Sequence, residues 1–344
     1  MEKKEYISIL SVISSLAVVI LHTNGCFWTF SYNGHWPSAN VIESVMYFAV
    51  PIFFMISGAT LIDYNERYDL KTYLKKRFIK TVIPFITWSM IGLLYRILEG
   101  AVTVDDINVS YLIDGIFNAS FVGIYWFFIP LFSVYLSIPI LSSIEKGKRK
   151  EVFSYIVIVI LIFNTIPMFL IRVLGVDIRY NSQINIYIGY GYLFYVIIGY
   201  LISNYEIKKM YKNIIYIMSA LGLLMQLIGT YCLSMEEGNV VQTYKGYLNL
   251  PCILYSVGIF LFFKEHGKKI LNNSRARQLI NLCQRHTFSV YLMHWFIMQL
   301  IIKLFKINQY SILYRVGFPF IIFGICMLIS VIVKKIPLVR KILP

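Results

Sequence analysis

Long apolar segments alternate with short polar segments along almost the whole chain. The first apolar segment, residues 6–25, reads YISILSVISSLAVVILHTNG and contains no Lys, Arg, Asp or Glu. A helix that crosses a bilayer needs about 20 residues at a rise of 1.5 Å per residue. Nine further segments cover roughly residues 41–62, 81–98, 121–141, 151–171, 186–203, 213–233, 247–263, 286–305 and 312–333. The pattern therefore predicts an all-α polytopic membrane protein with ten transmembrane helices.

The positions of the basic residues predict the orientation of these helices. With ten spans and a cytoplasmic N-terminus, 25 of the 32 Lys and Arg residues fall in cytoplasmic segments. Each cytoplasmic segment then carries basic residues, as the positive-inside rule requires. Both termini are therefore predicted to be cytoplasmic. The net charge of +15 is explained by a basic rim facing anionic lipid, which argues against nucleic acid as a partner.

Composition supports a membrane protein and narrows the chemistry. The chain is 58% hydrophobic and 14% charged, whereas soluble domains average about 25% charged residues. The start MEKKEY is followed by no signal-cleavage pattern, so the first segment is predicted to be retained as a helix. The five cysteines are scattered and lack C-x-x-C spacing, which indicates neither a metal site nor a disulfide framework. We expect a single transmembrane domain over residues 1–344, without an appended soluble domain, a metal or a tightly bound cofactor.

His22 is the first candidate for chemistry, because it lies near the outer end of the first predicted span. Ionisable residues inside a span are costly to place and usually functional. His22 could act as a general base, a proton relay or a structural hydrogen-bonding group. Asn24 could orient its ring, and Glu43, at the start of the second predicted helix, is the nearest acidic partner. The alternative for Glu43 is an interfacial glutamate at a helix N-terminus. His294, in the ninth span, is a second intramembrane histidine.

Four further residues are candidates for a functional role, and each also has a simpler structural explanation. Arg77 and Lys80 lie three residues apart at the start of the third helix, where they are predicted to share a face and could bind phosphates. Their alternative role is to mark the cytoplasmic end of a span. Ser57 and the glycine after it form a small-residue patch that permits close helix approach. Trp126 begins the fourth span and is predicted to lie at the outer interface.

Six stretches together resemble the acyltransferase 3 family of integral membrane acyltransferases, which modify surface polysaccharides and related glycans. In chain order they are AVVILHT, PIFFMISGATLI, YLKKRFIKTVIPFITW, YWFFIPLFSVYLSIPIL, YVIIGYLI and TFSVYLMH. The resemblance implies ten core helices and an acyl-CoA donor, usually acetyl-CoA, that arrives from the cytoplasm. It implies that the essential histidine of the family corresponds to His22. It also implies that a donor-binding pair of arginines corresponds to Arg77 and Lys80.

The sequence departs from the family at two of these positions. Lys80 replaces the second arginine, which keeps the charge but loses the bidentate fork. Ser11 stands where the family usually has an arginine, about three turns before the histidine. Lys3 and Lys4 are the nearby cations that could replace it.

These features predict a membrane O-acetyltransferase of the bacterial plasma membrane. The acceptor would be a hydroxyl of a capsule, an exopolysaccharide or a lipid-linked glycan. His22 would remove the proton of that hydroxyl as a general base, or carry the acetyl group covalently. A transporter or flippase for a lipid-linked glycan, with His22 and His294 as proton relays, is the alternative. A purely structural membrane partner is the third possibility, and the sequence leaves the acceptor sugar and the oligomeric state open.

Overall fold

Helices and the turns between them build the part of the chain that the structure describes. The structure is a computed structural model, and it describes residues 5–178, 181, 186–336 and 342–343. Within these residues the α-helices are α1 (Tyr6–Thr23), α2 (Trp36–Met46), α3 (Ala49–Leu61), α4 (Leu70–Arg77), α5 (Ile83–Leu98), α6 (Val109–Phe117), α7 (Phe128–Ser143), α8 (Arg149–Ile160), α9 (Ile166–Leu174), α10 (Tyr192–Asn204), α11 (Lys209–Leu224), α12 (Thr230–Glu237), α13 (Leu250–Leu271), α14 (Ser274–Gln284), α15 (Thr287–Phe305) and α16 (Phe318–Val333). The prediction of an all-α fold is confirmed for the described residues.

Short π-helical turns join several of these helices into longer rods. The π-helical turns are Phe78–Val82, Leu161–Thr165, Met225–Gly229 and Leu313–Gly317. Three of them are followed directly by a helix with proline in its first turn, at Pro84, Pro167 and Pro319. Proline has no N–H, so the carbonyl four residues earlier loses its α-helical donor. A wider π-helical turn gives the backbone groups around such a proline new hydrogen-bond partners.

Within the described residues, eight helical rods are long and apolar enough to cross a membrane, whereas the sequence predicts ten. They are Tyr6–Thr23, Trp36–Glu66, Leu70–Leu98, Gly123–Ser143, Arg149–Leu174, Lys209–Glu237, Thr287–Phe305 and Leu313–Val333. The other two predicted spans are helical as well. At 13 residues α10 is only about 20 Å long, and the second half of α13 carries Lys264 and Glu265. The membrane-protein class is therefore confirmed, while the count of ten stays a prediction.

Close backbone contact between α3 and α10 forms the tightest crossing near the centre of the bundle. A Cβ atom added to Gly58 would collide with the carbonyl oxygen of Val196, and one added to Gly199 would collide with the carbonyl of Met55. Only glycine lets the two backbones approach in this way. The small-residue patch read from the sequence is a site of helix packing, as predicted. Ser57 itself donates to the carbonyl oxygen of Phe53, one turn earlier on α3.

A buried ion pair joins α8 to the turn after α3 at one end of the bundle, the end that the charges predict to be cytoplasmic. Arg149, at the start of α8, lies 2.6 Å from Asp63 in the turn after α3, and both side chains are buried. Its remaining donors reach the carbonyl oxygens of Ile144 and Ser142, and Nη1 also lies 3.3 Å from the Tyr200 hydroxyl. All three guanidinium nitrogens therefore have partners, which is the condition under which a buried arginine is tolerated.

Helix α1 lies in the middle of the bundle and carries His22 in its last turn. It contacts α3, α13, α14, α15 and α16, and most of its residues are buried. Thr23, the last residue of α1, has its hydroxyl 3.0 Å from the carbonyl oxygen of Ile20 and 3.2 Å from that of Arg315. This contact holds the end of α1 against the turn before α16.

Candidate active site

A cavity of about 380 Å³ lies at one end of the bundle, and His22 is part of its wall. Residues of α1, α2, α3, α10 and α15 line it, together with the turns before α7 and α13. They are Val18, Leu21, His22, Trp28, Glu43, Tyr47, Val50, Phe53, Ile124, Trp126, Phe127, Tyr192, Tyr247 and Tyr291. The volume is in the range of small-molecule sites. We call it the His22 cavity.

His22 and His294 form a pair of neighbouring rings. Their centroids are 5.2 Å apart, and the planes are inclined by 32°. His294 is fully buried, and its Nδ1 lies 3.1 Å and 2.8 Å from the carbonyl oxygens of Val290 and Tyr291. Because a carbonyl only accepts, Nδ1 carries the proton and Nε2 is left as an acceptor. Nε2 is buried and has no hydrogen-bond partner in the described chain.

The two histidines therefore differ in their access to a ligand. His22 faces the His22 cavity, whereas His294 is not part of its lining. A ligand in the cavity meets His22 first, and a proton on His22 has His294 as its neighbouring base. The sequence identified both residues but could not show that they lie together.

Glu43 is buried in the wall of the His22 cavity, which corrects its placement as an interfacial residue at a helix start. The second helix begins at Trp36, seven residues before Glu43, and Glu43 is only 4% exposed. Asn24 donates through Nδ2 to the Glu43 carboxylate at 3.3 Å and to the Ala39 carbonyl oxygen at 2.9 Å. Asn24 therefore positions Glu43, and its side-chain hydrogen bonds within the described residues go to Glu43 and Ala39 rather than to the His22 ring, contrary to the expectation that it would orient that ring.

Lys245, next to the His22 cavity, is buried. The sequence did not identify this lysine as a candidate. It lies in the loop between α12 and α13 and is 2% exposed. Its ammonium donates to the Ser44 hydroxyl at 3.0 Å and lies over the rings of Phe27 and Tyr47, at 4.6 Å and 5.2 Å from their centroids. Glu43, which precedes Ser44 in the chain, attracts it electrostatically. The only feature of the sequence that could have identified Lys245 is its position as a single lysine in a loop that also contains Tyr244 and Tyr247.

One wall of the His22 cavity is a stack of aromatic rings. Tyr247 is stacked on Tyr47 with a centroid distance of 4.4 Å, and on Trp126 at 5.6 Å. The rings of Tyr192 and Trp126 are also neighbours, with a centroid distance of 6.2 Å. Trp126 is thus part of the cavity wall, and its location at the outer interface stays a prediction. Trp28 joins the lining with about half of its surface exposed.

The two cations predicted to bind the donor differ in their surroundings. Arg77 lines a separate groove beside Tyr135, whereas Lys80 is exposed and absent from that lining. The π-helical turn Phe78–Val82 lies between them and changes the angular spacing that an α-helix would give. Ser11 is buried in α1, and Lys3 and Lys4 lie outside the described residues. A joint donor site at Arg77 and Lys80 stays a prediction.

The bundle and its cavity define a polytopic membrane protein with a histidine pair and a buried carboxylate at one end. Over residues 4–334 the chain matches the acyltransferase domain of the acyltransferase 3 family, and it belongs to that family. No curated protein and no solved structure matched the chain.

Proposed function

We propose that this protein transfers an acetyl group from acetyl-CoA to a hydroxyl of a cell-surface or lipid-linked polysaccharide. Family membership supports acyl transfer. The observation that carries the proposal is the placement of His22, which lines a cavity of about 380 Å³ and has the His294 ring beside its own, with the centroids 5.2 Å apart. The proposed location is the bacterial plasma membrane.

In the proposed reaction His22 removes the proton of the acceptor hydroxyl while the oxygen attacks the thioester carbonyl. The carbon–oxygen bond forms, the carbon–sulfur bond breaks, and the coenzyme A thiolate leaves. General-base assistance of this kind contributes about 10²–10⁴ in rate. His294, with its free Nε2, is placed to share the proton that His22 has taken. An acetyl group carried on His22 is the alternative course.

The aromatic wall supports a sugar as the acceptor. A pyranose ring presents C–H groups on its faces and hydroxyls on its rim, so a flat aromatic surface with polar groups beside it suits both. Trp126, Tyr47 and Tyr247 supply the flat surface. Glu43 and His22 supply polar groups in the same cavity. Glu43 is proposed to accept a hydrogen bond from the sugar and so to direct one hydroxyl towards His22.

The donor is proposed to reach the site from the opposite, cytoplasmic end. Lys80 is exposed, and it follows the basic helix α4. Arg77 and Lys80 are together proposed to bind the phosphates of coenzyme A. Acetyl is preferred over longer acyl groups through the family resemblance alone.

The test compares transfer by the wild-type protein with transfer by His22→Ala. A strain that lacks the protein is complemented with each form at matched membrane abundance, and O-acetyl signals of its surface polysaccharide are measured by NMR. We expect wild type to restore the signals and His22→Ala to lose at least about 99% of them, which is the lower end of the range for a lost general base. His266→Ala is the matched control, because His266 lies on the part of α13 remote from the cavity lining.

Three outcomes separate the hypotheses. If His22→Ala restores acetylation as well as His266→Ala does, the catalytic role of His22 is refuted. If no form changes acetylation but export of the polysaccharide changes, the transporter alternative replaces the proposal. If wild type transfers an acyl group other than acetyl, the enzyme class stands and the donor is corrected.

A further inference from the structure

A second, smaller cavity of about 160 Å³ lies next to the His22 cavity, and the same two loops line both. Before α13, Gly246 lines the smaller cavity, and Tyr247, the next residue, lines the His22 cavity. At the start of α10, Tyr190 lines the smaller cavity and Tyr192 lines the His22 cavity. Adjacent Cα atoms are about 3.8 Å apart, so the two cavities are neighbours at one end of the bundle. We call the smaller one the Arg172 pocket.

Hydrogen bonds within the chain hold both walls of the Arg172 pocket in place. One wall begins in the π-helical turn Leu161–Thr165, where Asn164 is buried and its Oδ1 accepts the N–H of Ile186 at 3.2 Å. Turns of this kind are frequent at functional sites. In the other wall Asn249 donates through Nδ2 to the carbonyl oxygen of Thr243 at 2.7 Å. The pocket is therefore built by the fold itself.

The lining of the Arg172 pocket combines aromatic rings with polar groups. Phe169 is buried and Tyr190 is 40% exposed. The Thr165 hydroxyl and the Arg172 guanidinium belong to side chains of the same lining. This is the combination that the His22 cavity offers to a sugar. The volume is less than half that of the His22 cavity, and it suits one sugar ring rather than a longer chain.

Arg172 gives this pocket a preference for negative charge. It lies in the last turn of α9 and its side chain is exposed. None of the ion pairs among the described residues involves Arg172, and none of the described lining residues is acidic. Lys245 also belongs to the lining, but its ammonium donates to Ser44. Arg172 is therefore the cation that can contact a ligand directly.

We propose that the Arg172 pocket binds the sugar next to the one that is acetylated, and that this neighbouring sugar carries a carboxylate or a phosphate. The acceptor is then an acidic oligosaccharide or polysaccharide rather than a single neutral sugar. A guanidinium binds either anion through paired, charge-assisted hydrogen bonds. One glycan chain passes over the loops between the two cavities and fills both. The inference rests on the proposed function, because it takes the His22 cavity as the acceptor site.

The test measures how acceptor fragments bind to the full-length protein in detergent without acetyl-CoA. Surface polysaccharide of the strain that lacks the protein is cut by mild acid, labelled with a fluorophore at the reducing end, and sorted into acidic and neutral fragments of equal length. Fluorescence anisotropy then gives the Kd of each class. Wild type should bind acidic fragments about tenfold more tightly, as one charge-assisted hydrogen bond provides. Arg172→Gln should bring the two classes to similar Kd values, and Met168→Trp, which fills the pocket from α9, should weaken the acidic fragments.

Two matched controls keep the result specific to the pocket. Lys306→Gln removes an exposed cation elsewhere, and Leu170→Trp adds the same ring on α9 at a position that is 45% exposed and outside the lining. Neither should change the preference. The proposal is overturned if Arg172→Gln keeps the preference, if Met168→Trp binds acidic fragments as wild type does, or if the polysaccharide yields no acidic fragments. Arg172 lies at the surface, so Arg172→Gln keeps the test decisive should Met168→Trp fail to fold.

Chemical treatment of the fragments identifies the anion. Carboxyl reduction removes the charge of a uronate and leaves phosphate, whereas aqueous hydrofluoric acid cleaves phosphate esters and leaves carboxylates. Loss of the preference after one treatment assigns the group, and a preference that survives both treatments overturns the proposal. Acetyl-CoA is then added to the same samples. Equal acetylation of acidic and neutral fragments would refute this inference alone, whereas an intact binding preference without any transfer would refute the proposed function alone.

Discussion

At the scale of single residues, the positive charge of Lys245 is expected to affect the rate of transfer at the His22 cavity. The ammonium attracts Glu43 from behind the cavity wall, and its other polar contact is Ser44. In a site of low dielectric, one counter-charge contributes about 1.4 kcal/mol or more. Lys245→Met should therefore lower the transfer rate by about tenfold or more. A rate assay in proteoliposomes, with Lys148→Met as the control for an exposed lysine, measures this effect.

The pH profile separates this electrostatic role from a structural one. Burial lowers the pKa of Lys245 to about 8, and attraction by Glu43 opposes that shift. The ammonium is charged below that pH and neutral above it, so wild-type activity should fall as the pH rises through about 8. In Lys245→Arg the charge persists to much higher pH, and the alkaline fall should disappear. Full activity of Lys245→Met with an unchanged profile would contradict this role.

The residues that the sequence could identify are those whose type is unusual for their surroundings. His22 and His294 stand out because they interrupt apolar spans. Lys245 could not be recognised, because a lysine in a loop between spans is ordinary until folding buries it. Glu43 was recognised as an acid but placed at the interface, since the apolar pattern starts after the helix does. The two histidines lie together because α1 and α15 are in contact. A contact between helices far apart in the chain cannot be predicted from a local sequence pattern.

At the scale of helices, the crossing of α3 and α10 is expected to be the most sensitive to added volume. Gly58→Ala and Gly199→Ala each place a methyl group against a backbone carbonyl. Overpacking of this kind costs about 1–3 kcal/mol, so each variant should melt at a lower temperature in detergent. Gly324→Ala on α16 is the control, because an added Cβ there has no other atom within 4 Å. Equal melting temperatures for the three variants would refute the importance of this crossing.

Helices were predictable from the apolar pattern, but their ends and joints were not. Each of the ten predicted segments contains a helix in the structure. The start of α2 at Trp36 was missed because polar and aromatic residues precede the apolar run. The π-helical turn after Arg77 was missed because a pattern based on 3.6 residues per turn assumes a regular helix. That turn changes the angular spacing between Arg77 and Lys80, which the sequence predicted to share one face of a regular helix.

At the scale of the whole molecule, the His22 cavity bears on how many helices cross the membrane. Its lining includes Trp28 after α1, Ile124 before α7, Tyr192 at the start of α10 and Tyr247 before α13. These four segments therefore meet at one end of the bundle. If α10 and α13 both cross, the connections before them lie on the same side as the end of α1. If neither crosses, the loop before α13 would lie on the opposite side.

Cysteine labelling decides between ten and eight crossings. Glu206→Cys and Asn239→Cys place thiols at exposed positions on either side of the α11–α12 rod, in a background in which the partly exposed Cys26 and the exposed Cys232 are replaced by serine. With ten crossings and a cytoplasmic N-terminus, a membrane-impermeant maleimide added to intact cells should label Asn239→Cys and spare Glu206→Cys. With eight crossings the two results exchange. Asp105→Cys and Glu145→Cys, exposed after the third and fourth spans, are the outer and inner controls in both cases. Because the cavity requires Tyr247 to lie beside His22, we expect the pattern for ten crossings, and the exchanged pattern would also remove the aromatic wall from the proposed acceptor site.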